Sequence, residues 1–117
     1  MRMVRASAER FEELASQVIE DLPEWVRQQM DNVHVAVEDR PPADQPGLLG
    51  LYQGVPLTMR GGQSTGLPDT ITLYRSTIER EAATEADLIA VLRHVIVHEV
   101  AHLMGISDQR LIDMGRY

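Results

Sequence analysis

Two histidines four residues apart, with a glutamate directly after the first, are the part of this sequence best suited to chemistry. The segment reads H-E-V-A-H from His98 to His102. On a helix, residues four apart share one face, so His98 and His102 can direct two imidazoles at one metal ion. Glu99 lies one position further round and can take a proton from a water bound to that metal. These are the parts of a zinc hydrolase, with Glu99 as its catalytic base.

A third protein ligand is expected, because catalytic zinc usually takes three and leaves one position for water. His94 shares the face but precedes His102 by eight residues, about 12 Å along a helix, which bonds of about 2 Å cannot bridge. After His102 the only carboxylates are those of Asp108 and Asp113. Gly105 would let the chain turn sharply and return Asp108 to the metal. The predicted Zn²⁺ ligands are therefore two helical imidazoles and one carboxylate: His98, His102 and Asp108.

The helix that must carry this motif is predicted from its ends. Thr84 is a suitable N-cap, and Asp87, three residues later, is a weaker form of the capping-box acid. No Pro or Gly occurs between Leu88 and Met104. Gly105 is suited to the left-handed turn that ends many helices. The second half of the helix is apolar on nearly every face, which predicts a buried helix.

The other predicted elements are three helices and three strands. The helices cover residues 8–21, 23–30 and 108–114, and the strands cover 33–38, 48–53 and 69–75, with 55–59 as a continuation of the second strand and 76–83 as a connection. Ser7 and Ser107 are suitable N-caps for the first and last helices, and Trp25 and Val26 are expected to pack the second one down. This mixture predicts one α+β domain over residues 1–117, in which a small twisted mixed sheet packs on helices.

Composition narrows the partners and the compartment. The 117 residues carry a net charge of −7 and no cysteine. The negative charge argues against nucleic acid and against anionic membrane surfaces. The lack of cysteine excludes disulfides and thiolate metal sites. The first eleven residues hold no apolar run and no segment approaches a membrane span, so a cytoplasmic protein is expected.

Residues 98–108 read H-E-V-A-H-L-M-G-I-S-D and fit H-E-x-x-H-x-x-G-x-x-D. This motif is similar to that of the metzincin clan, which has His at the last place, and to that of snapalysin-like proteases, which have Asp there. The chain also resembles a family of small bacterial zincin-like proteins described as metallopeptidases. That resemblance rests on three stretches: G-L-L-G-L-Y-Q-G-V-P-L from Gly47, D-T-I-T-L-Y-R from Asp69, and the motif helix through Arg110.

The resemblance implies a zincin-like fold and a zinc metallopeptidase that acts on a peptide or protein substrate. It further implies an edge strand beside the motif helix that holds the peptide by strand addition, over residues 48–53 or 57–59. Metzincins carry a Met below the metal, and Met114 lies in the right direction, although core filling is the favoured interpretation. The side chain that stabilises the oxyanion stays open among four candidates: Tyr52, Tyr74, Arg116 and Tyr117. Most snapalysin-like enzymes are secreted, so the expectation of a cytoplasmic protein is a departure from that part of the resemblance.

Two alternatives to peptide hydrolysis stay open. Only residues 106–117 follow the helix, so the cleft is expected to be shallow or completed by a partner chain. This favours a non-catalytic zinc-binding module on a degenerate zincin scaffold that binds a protein partner. A hydrolase of a small non-peptide amide is also compatible with the motif, although nothing in the sequence favours it.

Overall fold

Five helices and three strands make up the part of the chain that the computed structural model describes, residues 6–56 and 69–113. In chain order they are α1 (Ala8–Glu20), α2 (Glu24–Gln29), β1 (Val33–Glu38), β2 (Gly50–Gln53), β3 (Asp69–Tyr74), α3 (Arg75–Arg80), α4 (Glu85–Leu103) and α5 (Asp108–Asp113). They form the predicted α+β fold, with a small mixed sheet packed on helices.

The two N-terminal helices begin close to where their caps predict. Ser7 Oγ accepts a hydrogen bond of 3.1 Å from Arg10 N at the start of α1. Pro23 precedes α2, where its fixed φ suits a helix start. Val26 is buried, but the prediction that Trp25 packs α2 down is wrong, because the Trp25 side chain is 58% exposed. A six-residue helix can bury only a narrow face, and Val26 occupies it.

The sheet has the order β1-β3-β2, so β3 is the central strand. β1 runs parallel to β3, with Val35 opposite Ile71, and β2 runs antiparallel to β3, with Tyr52 opposite Ile71. The last four residues of β3 are all buried, as expected for a strand covered on both faces. β2 is left at the edge of the sheet, where it packs against α4.

The start of β2 and the segment after β3 differ most from the sequence prediction. β2 begins at Gly50 rather than Leu48, because Leu48 still belongs to a turn in which its N–H donates to Gln45 O. α3 lies within the stretch that the sequence predicts to be only a connection. Its side chain Ile78 is fully buried, so tertiary packing stabilises this short helix. The predicted continuation of β2 over 55–59 is wrong at Val55 and Pro56, which belong to no strand, as expected where proline removes a main-chain donor; residues 57–59 lie outside the described residues.

Helix α4 has both predicted ends. Thr84 and Asp87 form the complete capping box, with Asp87 N donating to Thr84 Oγ1 at 3.1 Å. At the other end Gly105 has φ of 85°. Gly105 N donates to His102 O and Ile106 N donates to Ala101 O, each at 2.9 Å. This pair of bonds is the Schellman motif, and it turns the chain back at the end of the helix.

The prediction that α4 is buried on nearly every face is wrong along one line of the helix. The side chains of Ile89 and Val97 are 38% and 45% exposed, and Arg93 lies between them on the same line. Ala86, Ala90 and His94 are exposed beside this line, and the remaining faces of α4 pack against α1, α3, β2 and β3. The core lies between these elements, and its fully buried side chains include Phe11, Leu14, Ile71, Leu73, Ile78, Leu88, Leu92 and Ile96.

Within residues 6–56 and 69–113, no helix has both the length and the hydropathy needed to span a membrane.

Candidate metal centre

The last turns of α4 bring the three motif side chains together. One ligand atom each of His98, Glu99 and His102 lies within 4.8 Å of the others, which makes them a group that could hold a metal ion. The ring centroids of His98 and His102 are 4.7 Å apart. Glu99 is only 5% exposed, whereas both imidazoles are half-buried. The i, i+4 spacing therefore produces the face that the sequence predicts.

Asp108 returns to this face from the next helix. The Schellman turn reverses the chain, and Ser107 Oγ then accepts from Arg110 N at 3.1 Å to cap α5. Asp108 is the first residue of α5. Its Oδ1 lies 2.6 Å from His102 Nε2 and 3.3 Å from His98 Nε2. The structure thus brings together all three side chains that the sequence predicts as ligands.

The donor atoms suit a small divalent cation. Ligands at the corners of a tetrahedron, each about 2.1 Å from zinc, lie about 3.4 Å from one another. The separation of His98 Nε2 and Asp108 Oδ1 is 3.3 Å, close to that spacing. The separation of His102 Nε2 and Asp108 Oδ1 is shorter because these atoms form a direct hydrogen bond. Two imidazole nitrogens and one carboxylate oxygen are a donor set that zinc accepts.

Each ring nitrogen of His102 contacts a carboxylate oxygen. Nδ1 is 3.1 Å from Glu99 Oε1, and Nε2 is 2.6 Å from Asp108 Oδ1. Burial lowers the pKa of His102, but the hydrogen bonds and charges of Asp108 and Glu99 outweigh burial, and the pKa ends above its ordinary value. The hydrogen bond with His102 is the main reason why the pKa of Asp108 lies below its ordinary value. In zinc proteins a ligating imidazole commonly donates its other N–H to a carboxylate, and Glu99 is placed to accept from Nδ1.

The edge strand contributes a group that sequence reasoning missed. Tyr52 N donates to Glu99 Oε1 at 2.9 Å. A Cβ added at Gly50 would lie 2.7 Å from Val95 Cγ1 and 3.2 Å from Thr72 O, so only glycine allows this close approach of β2 to α4. Gly50, which lies inside a predicted strand, is the sequence signal that could have suggested this close approach.

The candidates for the oxyanion-stabilising side chain have separate locations. The Tyr52 hydroxyl donates to Asp69 Oδ2 at 3.1 Å. Tyr74 is 3% exposed, and burial, together with the charges of Glu38 and Glu99, raises its pKa. Arg116 and Tyr117 lie outside the described residues, as does Met114, the candidate for a methionine turn.

A cleft of about 200 Å³ opens between α4 and the segment that leads into β2. It is lined by Gly47, Leu48, Leu49 and Gly50 on one side and by His94, Val95, His98 and Glu99 on the other. His94 is exposed, and its ring centroid is 6.2 Å from that of His98. His94, which lies one turn before the first histidine of the motif, therefore forms part of the cleft wall.

The comparisons with known proteins agree with this geometry. The profile of the zincin-like metallopeptidase family matches residues 30–116, which include the sheet, the motif helix and Asp108. A conserved hypothetical protein from T. thermophilus has a similar solved structure, with a TM-score of 0.57 and 24% sequence identity. The match covers 95% of this chain and all of that one, and it shows a shared fold. No curated protein matches the sequence.

The family match covers well over half of the chain, and it includes His98, Glu99 and His102, the group that could hold a metal ion. Membership implies a divalent metal, typically zinc. The chain belongs to the zincin-like metallopeptidase family.

Proposed function

We propose that this protein is a zinc-dependent peptidase in which His98, His102 and Asp108 hold Zn²⁺. The observation that carries the proposal is the position of one oxygen, Asp108 Oδ1, beside both imidazole Nε2 atoms. When bound, Zn²⁺ would supply Lewis acidity, which makes a water molecule acidic and polarises a substrate carbonyl.

Glu99 is the general base of the proposed reaction. Within the described part of the chain, the hydrogen bonds of Glu99 with Tyr52 N and with His102 Nδ1 are both made by Oε1. Oε2 is therefore the oxygen that takes the proton from the attacking water and later returns it to the leaving amine. Glu99 lines the cleft. This position supports the role, because a base must lie within hydrogen-bond reach of the water that it activates.

The substrate peptide is proposed to lie along the edge strand β2. Hydrogen bonds alternate along an antiparallel ladder, and Tyr74 N donates to Leu49 O. Gly50 and Tyr52 therefore direct their main-chain groups away from β3, towards the edge of β2 that no other strand of the described residues covers. Since Glu99 already accepts from Tyr52 N, the main chain of Gly50 is the group we expect to pair with a peptide by strand addition.

The cleft next to Gly50 is proposed to receive one substrate side chain. Its volume of about 200 Å³ is lined by apolar Leu48, Leu49 and Val95, and the imidazole of His94 adds a polar group to its wall. The motif histidine His98 and the base Glu99 line the same space. A side chain in this cleft would therefore hold the adjacent peptide bond near the catalytic residues.

The test of the proposed ligand set is metal content, measured by mass spectrometry on protein purified without added metal. About one equivalent of zinc is expected in the wild type, and weak or no retention in Asp108→Ala. Asp113→Ala is the matched control, because Asp113 is the other carboxylate of α5 and pairs with Gln109 Nε2 instead. Absence of zinc from the wild type, even after titration, would overturn the proposal.

A further inference from the structure

We infer that Asp69 and Tyr52 are positioning residues for Glu99: they hold the main-chain N–H of Tyr52 on the carboxylate of the base. This inference rests on the proposed function only for the identity of the base. The contacts themselves belong to the fold, and they can be tested whether or not the protein cleaves a peptide.

Tyr52 is held at both ends. Its main-chain N donates to Glu99 Oε1 on α4 at 2.9 Å, and its hydroxyl donates to Asp69 Oδ2 at 3.1 Å. Asp69 is the first residue of β3, and its carboxylate is buried, with 4% of the residue exposed. The side chain of Tyr52 is thus attached to the central strand, while its main chain reaches across to the motif helix.

Two glycines make room for these contacts. Gly50 precedes Tyr52 by two residues, and a Cβ there would lie 2.7 Å from Val95 Cγ1 and 3.4 Å from Glu99 Cγ. Gly54 follows Tyr52 by two residues, and a Cβ there would overlap the Asp69 carboxylate and lie 2.7 Å from the Tyr52 hydroxyl. The first glycine lets the strand approach α4, and the second lets Asp69 approach the Tyr52 ring.

The consequence for Glu99 is a fixed carboxylate. A glutamate side chain has three rotatable bonds, and a base that moves about 1 Å from its productive position can lose about a hundredfold in rate. The N–H of Tyr52 and Nδ1 of His102 both contact Oε1, from two different elements. Together they hold Oε1 and thereby restrict Oε2, the oxygen proposed to take the proton. Asp69 acts one step further away, because it restricts the strand segment that carries the N–H.

Hydrogen exchange of single amides, measured by NMR on the zinc-loaded protein, tests the inference without any substrate. Glu99→Ala should speed exchange at the Tyr52 N–H, which would show that the Glu99 carboxylate is the acceptor of this hydrogen bond. Tyr52→Phe and Asp69→Ala should each speed exchange at residue 52 by about tenfold relative to Leu51, whose N–H faces β3. Asp69→Asn keeps an acceptor for the hydroxyl and should restore most of the protection.

Two control variants separate positioning from a general loss of stability. Gln53→Ala removes an exposed side chain from the same strand, and Val18→Ala opens a small cavity in α1, far along the chain from both contacts. Neither should change the ratio of exchange at Tyr52 to exchange at Leu51. A ratio that stays at the wild-type value in both Tyr52→Phe and Asp69→Ala would overturn the inference.

Kinetics give the second readout once a cleaved peptide is known. Tyr52→Phe and Asp69→Ala should lower kcat by about tenfold while KM and zinc affinity stay unchanged. A fall in kcat no larger than that in Val18→Ala would contradict the positioning role. If the wild type cleaves no peptide, the proposed function fails, and the exchange ratios alone decide whether Asp69 and Tyr52 hold Glu99.

Discussion

Asp108 Oδ1 lies 2.6 Å from His102 Nε2, although the two residues belong to different helices. The turn at Gly105 explains the contact, because its φ of 85° allows the two Schellman hydrogen bonds that reverse the chain within four residues. A donor from α5 is thereby added to two donors from α4. The geometry of the candidate metal centre depends on this turn as much as on its ligands.

Replacing Gly105 by alanine should weaken both the fold and the metal site. A residue with a Cβ in the left-handed conformation costs about 1–2 kcal/mol, so the free energy of unfolding should fall by roughly that amount. Zinc affinity should fall as well, since Asp108 is placed by the same turn. Urea unfolding and zinc titration measure the two effects.

Gly47→Ala is the control for that experiment. No atom lies within 4 Å of a Cβ added at Gly47, and this residue is not among the described glycines with positive φ. Its unfolding curve and zinc affinity should match those of the wild type. Equal behaviour of Gly105→Ala and Gly47→Ala would mean that the turn does not control the position of Asp108.

Glu99→Gln should separate metal binding from catalysis. The amide oxygen of Gln can still accept from Tyr52 N, so the fold and the zinc content should be preserved. The amide cannot take a proton from water, so kcat should fall by about 10²–10⁴. Cleavage of a peptide library, followed by kinetics on one cleaved peptide, measures the loss. Wild-type kcat in Glu99→Gln would exclude Glu99 as the base.

His94→Ala should alter substrate binding more than turnover. His94 lines the cleft but is not part of the group of His98, Glu99 and His102 that could hold a metal, so the variant should raise KM for a peptide whose side chain enters the cleft and leave kcat nearly unchanged. Arg93→Ala is the control, because Arg93 precedes His94 on α4 and does not line the cleft. A KM that rises equally in the two variants would contradict the assignment of His94 to the substrate site.

Tyr74 should make the protein sensitive to alkaline pH. Burial, and then the charges of Glu38 and Glu99, raise the pKa of Tyr74 above the ordinary value of 10.0. Above pH 10.0 the unfolded state loses the hydroxyl proton of Tyr74, whereas the folded state keeps it up to a higher pH. The contribution of Tyr74 to the free energy of unfolding is therefore fully present below pH 10.0 and is lost as the pH rises through the folded-state pKa.

Thermal unfolding between neutral and strongly alkaline pH measures this effect. The melting temperature of the wild type should fall more steeply above about pH 10 than that of Tyr74→Phe, which has no proton to lose. Ultraviolet absorbance of tyrosinate should show a late-ionising tyrosine in the folded wild type that is missing from Tyr74→Phe. Parallel melting curves for the two proteins would contradict the role of Tyr74.

The motif helix and its caps were predictable because their signals are local. The capping box of Thr84 and Asp87, the turn at Gly105 and the cap at Ser107 each involve residues a few positions apart. The spacing of His98 and His102 places them on one helical face in any context. Even the return of Asp108 to this face follows from a short turn, so the sequence alone predicted which side chains meet.

The relationship between the helix and the sheet came only from the tertiary structure. Tyr52 N and Glu99 Oε1 meet across 47 positions of the chain, and no periodicity in either segment predicts that contact. The exposure of Trp25 and Val97 was likewise missed, because an apolar side chain is buried only where another element covers it. Local hydrogen bonds and side-chain spacing thus encode the elements and the motif, whereas the packing of β2 on α4 decides how the base is held.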